Sequence, residues 1–180
     1  MSASHSAVIS AIGRGFDGLD VPALAKDLGA ELIRLEDFDA TVAAVLAEAP
    51  AAENIVAQGT GDIAFDAEVA AALGLPLAII SGAPQRTGEL AQHNAESLGA
   101  TVAGIFTDLE AVPGALAALG DVSPVMSADL FQKQLIDQAR AAGSHIVLPE
   151  GDDDRILEAA HVVLRDKAVS YTHLRAHETR

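Results

Sequence analysis

The sequence Leu-Pro-Leu-Ala-Ile-Ile at residues 75–80 decides the fold of this chain. It is a continuous apolar run without the polar alternation of a strand that faces water on one side. A strand of this kind is buried on both faces, as in a parallel sheet. Gly74 precedes the run and Ser81-Gly82 follows it, so the strand lies between the end of a helix and a tight turn.

Outward from this strand, short apolar runs alternate with alanine-rich segments in both directions. Strands that alternate with helices at this spacing imply right-handed crossovers and a doubly wound, mostly parallel sheet. We therefore expect residues 1–121 to form one three-layer α/β domain. The predicted strands are Ala7–Ile12, Glu31–Leu35, Asn54–Ala57, Leu75–Ile80 and Thr101–Phe106. The predicted helices are Asp20–Leu28, Asp39 or Thr41 to Glu48, Asp66–Leu73, Glu89–Leu98 and Pro113–Gly120.

A truncated α/β segment, residues 122–168, is predicted after the first domain, and its first residues belong to a linker at 121–126. Its pattern predicts a helix over Ala128–Ala142, a strand over Ser144–Leu148 and a helix over Asp154–Asp166. The strand would need partners on a parallel sheet, and one helix pair cannot bury it fully. We expect this segment to be loosely docked or aggregation-prone. The last residues, 170–180, have no apolar periodicity and are expected to form no regular structure.

Composition excludes several classes of partner and site. The formal net charge is -15, which repels phosphate backbones and anionic lipid, so we expect neither nucleic-acid nor membrane partners. The chain contains no cysteine, which excludes disulfides and thiolate metal ligands. Neither a secretory signal nor an apolar stretch of membrane-spanning length is visible, so a cytoplasmic protein is expected.

Glycines at Gly13, Gly15 and Gly18 follow the first strand with the spacing of a dinucleotide-binding loop. The helix is predicted to start only after Asp20, so Gly18 cannot serve close helix–strand packing, and we favour a plain connecting loop. The same loop fails as an ATP-binding P-loop, because Leu19 stands where that loop has its lysine and Asp20 where it has serine or threonine. A nucleotide- or metabolite-sensing module is nevertheless kept as the alternative function.

Three groups of side chains are candidates for holding metal ions. Asp62 and Asp66 follow the third strand, and we favour Asp66 as a helix cap over a metal ligand. Glu150 and Asp152–Asp154 are interpreted as carboxylates at a helix start, where they stabilise free N–H groups. His173 and His177 have helical spacing but no evident third ligand, so no metal site is predicted.

The run Ile-Val-Leu-Pro-Glu-Gly-Asp-Asp-Asp-Arg-Ile-Leu-Glu-Ala-Ala, from Ile146 to Ala160, resembles the opening of the phosphate acetyltransferase catalytic domain. With the preceding helix, the resemblance covers about forty residues. It implies transfer of an acetyl group between CoA and inorganic phosphate, with acetyl-CoA as a substrate, no redox cofactor and a homo-oligomer at full length. Of the family's anion-binding arginines, Arg155 is the one that maps onto this chain, so it is the predicted binding residue for CoA or phosphate.

The same resemblance implies limits on this chain. The family's catalytic groups lie downstream of the first strand and helix, so no catalytic residue is assigned and residues 1–180 are expected to be inactive. Residues 1–121 resemble a dethiobiotin-synthetase-like P-loop domain, with a Gly59-Thr-Gly-Asp turn, in degenerate form. From about Ala168 the chain departs from the family pattern. Residues 169–180 resemble translated sequencing-adapter read-through and are expected to be non-native.

Overall fold

The computed structural model describes residues 5–148, 153–165 and 170–173, in two compact units of residues 1–129 and 130–180. The first unit is a five-stranded sheet in the order β2-β3-β1-β4-β5, with every neighbouring pair parallel. This confirms the predicted doubly wound α/β fold. The strands are β1 (Ala7–Ile12), β2 (Glu31–Arg34), β3 (Ile55–Gln58), β4 (Leu77–Ser81) and β5 (Val102–Phe106). The helices are α1 (Val21–Leu28), α2 (Val42–Glu48), α3 (Ile63–Leu73), α4 (Gln85–Ser97) and α5 (Val112–Leu119).

Helices cover both faces of this sheet. The chain moves from β1 to the edge strand β2 in one direction and from there through β3, β4 and β5 in the other. Right-handed crossovers therefore place α1 on one face and α2, α3 and α4 on the opposite face. The core follows this division: Ile9 packs with Val21 and Leu116 of α1 and α5, whereas Val8 packs with Val45 and Ala70 of α2 and α3.

Side-chain caps set the starts of α2 and α3. Thr41 caps α2 by accepting a hydrogen bond from Ala44 N–H at 3.2 Å. Asp62 caps α3 by accepting from Ala64 and Phe65. The predicted start of this helix at Asp66, with Asp66 as its cap, is therefore wrong, because the cap stands four residues earlier.

The predicted linker is packed on the first unit. The Val125 N–H donates to the carbonyl oxygen of Ala71 at 2.8 Å. A side chain at Gly74 would overlap Pro124, so the backbone of α3 and this segment approach closely there. An open cavity of about 300 Å³ lies beside the segment. It is lined by Val42, Glu68, Ala71, Leu98, Val125 and Asp129, among others.

The second unit contains α6 (Ala128–Ala142), β6 (His145–Leu148), α7 (Asp154–Arg165) and β7 (Ser170–His173). β6 and β7 pair in parallel, with His145 opposite Ser170 and Leu148 opposite His173. The expectation of no regular structure after residue 170 is wrong for Ser170–His173. Pairing uses backbone groups, which apolar periodicity does not report, and Tyr171 and Thr172 are residue types that favour strands.

Within the part of the chain that the structure describes, no helix has both the length and the apolar character needed to cross a membrane.

Candidate functional site

The crevice beside β1 is where an open α/β sheet of this topology would bind a ligand. The loops that follow β1 and β3 leave toward opposite faces, and such switch points open at the carboxyl ends of the strands. Two sets of residues therefore bear on function in the first unit: the glycine loop after β1 and the turn after β3. A third candidate, Arg155, lies in the second unit.

The glycine loop has the backbone of a tight turn but not the chemistry of a phosphate loop. Gly13, Gly15 and Gly18 have φ angles of 74°, 67° and 75°, values that favour glycine. Leu19, at the P-loop lysine position, packs against the core cluster of α1 and α5. Asp20 caps α1, as predicted, by accepting from Ala23 N–H at 2.9 Å. A carboxylate at that helix start repels phosphate and occupies an N–H group that an anion would need.

Arg14 connects the glycine loop to residues on the other side of the crevice. Its guanidinium donates to the carbonyl oxygen of Asp17 at 2.9 Å and to that of Thr107 at 3.4 Å. The alkyl part of the side chain lies against Gly82, where an added Cβ would be 2.8 Å from Arg14 Cβ. The loop after β1 is therefore tied to the loops after β4 and β5 by one side chain.

Asp66 of α3 is hydrogen-bonded to β1 and to the turn after β3. The residue is fully buried, and both carboxylate oxygens accept two hydrogen bonds. Oδ1 accepts from Thr60 N–H at 2.8 Å and from Thr60 Oγ1 at 3.0 Å. Oδ2 accepts from Ser10 Oγ at 2.6 Å and from Gly61 N–H at 3.2 Å. The network joins β1, the turn after β3 and the first turns of α3.

The surroundings of Asp66 act on its pKa in opposite directions. Burial raises the pKa of this carboxyl group, because the charged form loses hydration. The hydrogen bonds from Ser10, Thr60 and Gly61 lower it, and burial is the larger effect. The two carboxylate oxygens of Asp66 already accept four hydrogen bonds from the protein. This argues against Asp66 as a metal ligand. Among the residues that the structure describes, no group of three or more His, Cys, Asp or Glu side chains could hold a metal ion.

Arg155 lies in the first turn of α7 and pairs with Asp153. Its Nη2 and Nε donate to the two carboxylate oxygens of Asp153 at 2.7 and 3.1 Å. Asp153 also accepts from the Arg155 backbone N–H at 2.9 Å, so it caps the helix start as the sequence indicates. The hydrogen bond from the Arg155 side chain, first of all, lowers the pKa of Asp153. Glu150, Asp152 and His177 lie outside the described residues.

The Arg155 side chain is 89% exposed, so the guanidinium is accessible to an anion in solution. It stands beside the N-terminal end of α7, and both features attract negative charge. Asp153 is the group with which an incoming anion would compete. The role of Arg155 in binding CoA or phosphate stays a prediction.

Comparison with known proteins concerns the second unit. Residues 130–177 match the family model described as phosphate acetyl/butaryl transferase. A phosphate acetyltransferase from Corynebacterium glutamicum is 69% identical over 39 residues, which are 22% of this chain and 12% of that relative. No solved structure matches the chain. The chain thus spans about an eighth of the curated relative it matches, and both matches confirm the resemblance seen in Ile146–Ala160.

The family match also includes part of residues 169–180. It extends to residue 177, past the point near Ala168 where we expect the sequence to depart from the family pattern. The β6–α7–β7 arrangement is a parallel crossover unit, in which a helix connects two neighbouring parallel strands. The adapter origin of residues 169–180 stays a prediction.

Proposed function

We propose that residues from about 130 onward are the opening part of a phosphate acetyltransferase domain. The whole protein would transfer an acetyl group between CoA and inorganic phosphate. The observation that carries this proposal is the 69% identity over 39 residues with a phosphate acetyltransferase. The family match over residues 130–177 includes the sequence Leu-Pro-Glu-Gly before α7. The first unit would be a structural or assembly domain placed before the enzyme.

The proposed reaction is an acyl transfer without change of oxidation state. A phosphate oxygen attacks the thioester carbonyl of acetyl-CoA, the carbon–sulfur bond breaks, and acetyl phosphate and the CoA thiol are the products. The reverse reaction uses the thiol as nucleophile on acetyl phosphate. CoA is a substrate here, and the proposal needs no further cofactor. It also includes a cytoplasmic location and a homo-oligomeric whole enzyme.

Arg155 is the residue we assign to anion binding in this reaction. Its exposure, its position at the start of α7 and its bidentate geometry suit a phosphate group. Asp153 would hold the guanidinium in place until the anion arrives. This exchange requires no movement of the helix, because both residues lie at its first turn.

Residues 1–180 alone would be inactive in this proposal. The described residues include two exposed arginines of α7, Arg155 and Arg165, and one buried carboxylate, Asp66, whose oxygens are occupied by internal donors. A guanidinium stays protonated, and the Asp66 oxygens already accept internal hydrogen bonds, so neither kind of group can act as a general base on a CoA thiol. Binding groups from elsewhere in the acetyltransferase domain are needed.

A chimera tests the proposal. The matched stretch of the Corynebacterium glutamicum relative is replaced by the matching residues of this chain, and release of CoA thiol from acetyl-CoA is followed as phosphate is added. We expect the chimera to be active and residues 1–180 to be inactive. Because this chain contains no cysteine, it adds no thiol background to the assay. An inactive but folded chimera would contradict the assignment, and turnover by residues 1–180 would contradict the proposed inactivity.

A further inference from the structure

The two edges of the sheet in the first unit differ in their protection against pairing with another strand. β2 forms one edge and carries two exposed, charged side chains, Glu31 and Arg34. β5 forms the other edge and has the sequence Val-Ala-Gly-Ile-Phe, with no charged residue and no proline. Charged residues and prolines on an edge strand prevent further pairing. β5 lacks both, and within the described residues β4 is its one strand partner.

The surface at this edge includes one helix as well as the strand. The residues of β5 are half-buried or exposed, and Ile105 is 36% exposed. Ile105 lies against α4, since a Cβ added at Gly88 would be 3.1 Å from Ile105 Cγ2. α4 packs on both β4 and β5, whereas α3 packs on β1 and β4. On its face of the sheet, α4 is therefore the helix nearest to the outer edge of β5.

The side of α4 next to this edge is polar. The buried side of the helix consists of Gly88, Ala91 and Ala95. Leu98 lies to one side of these residues, where it lines a cavity together with Ala71 of α3. On the other side, away from α3, the helical spacing places four residues in one row, which we call the polar stripe of α4. They are Gln85, Glu89, Gln92 and Glu96.

The polar stripe is complementary to a second copy of itself in antiparallel orientation. Within one chain, Gln85 Nε2 donates to Glu89 Oε1 at 2.9 Å, and Gln92 Nε2 donates to Glu96 Oε1 at 2.7 Å. Each amide NH₂ group has a second hydrogen to donate. When two such helices lie antiparallel, Gln85 faces Glu96 of the other copy, and Glu89 faces Gln92. Every carboxylate of the stripe then meets an amide donor, although the chain carries a net charge of -15.

β5 and α4 are compatible with the same two-fold axis. α4 runs antiparallel to β5, because a helix that connects parallel strands returns along the sheet. From the contact between Gly88 and Ile105, the centre of the polar stripe lies about 4 Å further along α4. In the same direction, Gly104 lies about 3.3 Å back along β5. A two-fold axis at Gly104 therefore pairs β5 with its copy and also places the two polar stripes opposite each other.

The spacing of the elements agrees with this arrangement. Neighbouring strands are about 4.8 Å apart, and α4 lies above β4 and β5. Across a β5–β5 pair, the two α4 helices would be about 10 Å apart, which is the distance at which helices pack. The strand edges and the helices can therefore form contacts at the same time.

We propose that the outer edge of β5 and the polar stripe of α4 bind a second copy of this chain. The two β5 strands pair antiparallel, which joins the two five-stranded sheets into one continuous sheet. The contact lies in the first unit and does not depend on acetyl transfer. A basic peptide strand is a poorer occupant of this edge, because it would place cations opposite the amide groups of Gln85 and Gln92.

Sedimentation equilibrium of the full 180-residue chain tests the proposal. We expect a monomer–dimer equilibrium. Gln92→Glu places a carboxylate opposite Glu89 of the other copy, twice in each dimer, and should raise the dissociation constant about tenfold. Asn94→Asp is the matched control, because it adds the same charge on the opposite side of α4 and should leave the dissociation constant unchanged. Ile105→Lys puts a charge on the strand edge and should prevent dimer formation.

Cross-linking identifies the residues that meet across the axis. The chain contains no cysteine, so one introduced thiol gives an unambiguous signal. A short bismaleimide should link Gln92→Cys to its own copy, whereas Asn94→Cys, on the opposite side of the helix, should stay unlinked. Urea unfolding checks that each variant is folded. If Ile105→Lys does not fold, Gln92→Glu and the cross-link decide.

Three results would overturn the proposal. The first is a monomer at every protein concentration. The second is a dimer that Ile105→Lys and Gln92→Glu leave unchanged, which is the result that self-association through the second unit would give. The third is cross-linking at residue 94 in place of residue 92.

Discussion

Replacing Asp66 by Asn tests whether the hydrogen bonds to the Asp66 carboxylate stabilise the first unit. Asn has nearly the same shape, but one of the two oxygens becomes an NH₂ group that cannot accept hydrogen bonds. Each Asp66 oxygen accepts one backbone N–H, from Thr60 at 2.8 Å or from Gly61 at 3.2 Å. Whichever oxygen is replaced, one of these two N–H groups loses its acceptor. The hydroxyls of Ser10 and Thr60 can rotate, so their loss is smaller.

A backbone donor left without an acceptor in a buried site costs about 1–3 kcal/mol of stability. We therefore expect Asp66→Asn to lower the free energy of unfolding by about that amount at neutral pH. Asp62→Asn is the control, because Asn caps a helix about as well as Asp and the change should stay within about 0.5 kcal/mol. The two substitutions are chemically identical and only four positions apart.

Urea unfolding followed by far-UV circular dichroism measures both variants. The chain has no tryptophan, so the helical signal replaces intrinsic fluorescence. Equal slopes against urea would show that the variants change stability and not the unfolded state. If Asp66→Asn stays within about 0.5 kcal/mol of the unaltered protein, or costs no more than Asp62→Asn, the four-donor network does not stabilise the fold as described.

The pH dependence of this difference follows from the raised pKa of Asp66. A carboxyl group with a raised folded-state pKa binds its proton more tightly in the folded protein. Its contribution is full below the ordinary pKa and is lost as pH rises through the folded-state value. The Asn side chain does not titrate, so it makes no such pH-dependent contribution to stability. The penalty of Asp66→Asn should therefore be larger at about pH 4 than at about pH 8, and a penalty that shrinks in acid would mean that hydrogen bonding outweighs burial.

Three further predictions concern Gly59, Arg155 and the glycine loop. Gly59→Ala should cost about 1–3 kcal/mol by urea unfolding, because its Cβ would overlap the Asp66 carboxylate and lie 2.8 Å from the Ile9 carbonyl oxygen. The control Gly114→Ala, with no atom within 4 Å of its Cβ, should be neutral or stabilise α5 by up to about 1 kcal/mol; equal penalties would refute the close approach. In the active chimera, Arg155→Gln should raise the KM for phosphate or acetyl-CoA, whereas exchange of the exposed Glu158 for Gln should not. ATP and NADH should leave the melting temperature unchanged, since Leu19 and Asp20 replace phosphate ligands, and a concentration-dependent rise would favour the sensing alternative.

The sequence was sufficient for the sheet because its signals are local. An apolar run such as residues 75–80, followed by Ser81-Gly82, predicts a buried parallel strand at nearly its observed place. Leu19 and Asp20 likewise excluded a phosphate loop from residue chemistry alone. The structure agrees, since Leu19 packs against the core and Asp20 caps α1.

The Asp66 network could not be read from the sequence, because its partners come from distant parts of the chain. Ser10 and Asp66 are 56 positions apart and meet only after β1 and β3 pair. For Asp62 and Asp66 the sequence left a choice between a helix cap and a metal site. The prediction that Asp66 caps the helix was wrong, because the position of the cap depends on which backbone N–H groups at the helix start lack a partner within the helix. The turn at Gly59 did carry a usable signal. A small residue directly before a Thr-Gly-Asp turn marks a close backbone approach.

The strand after residue 170 shows a different limit of sequence reading. Composition and periodicity separated 169–180 from the rest of the chain, yet Ser170–His173 pairs with β6 in register. A lone parallel strand leaves unpaired backbone groups at both edges, so any neighbouring segment with strand-compatible residues can satisfy one edge. Pairing of this kind needs no specific side chain. If β7 only occupies an open strand edge in this way, replacing Thr172 by Pro should remove the β6–β7 pairing. The urea transition of the first unit should stay unchanged. A shift of that transition would contradict the division of the chain into two units that unfold independently.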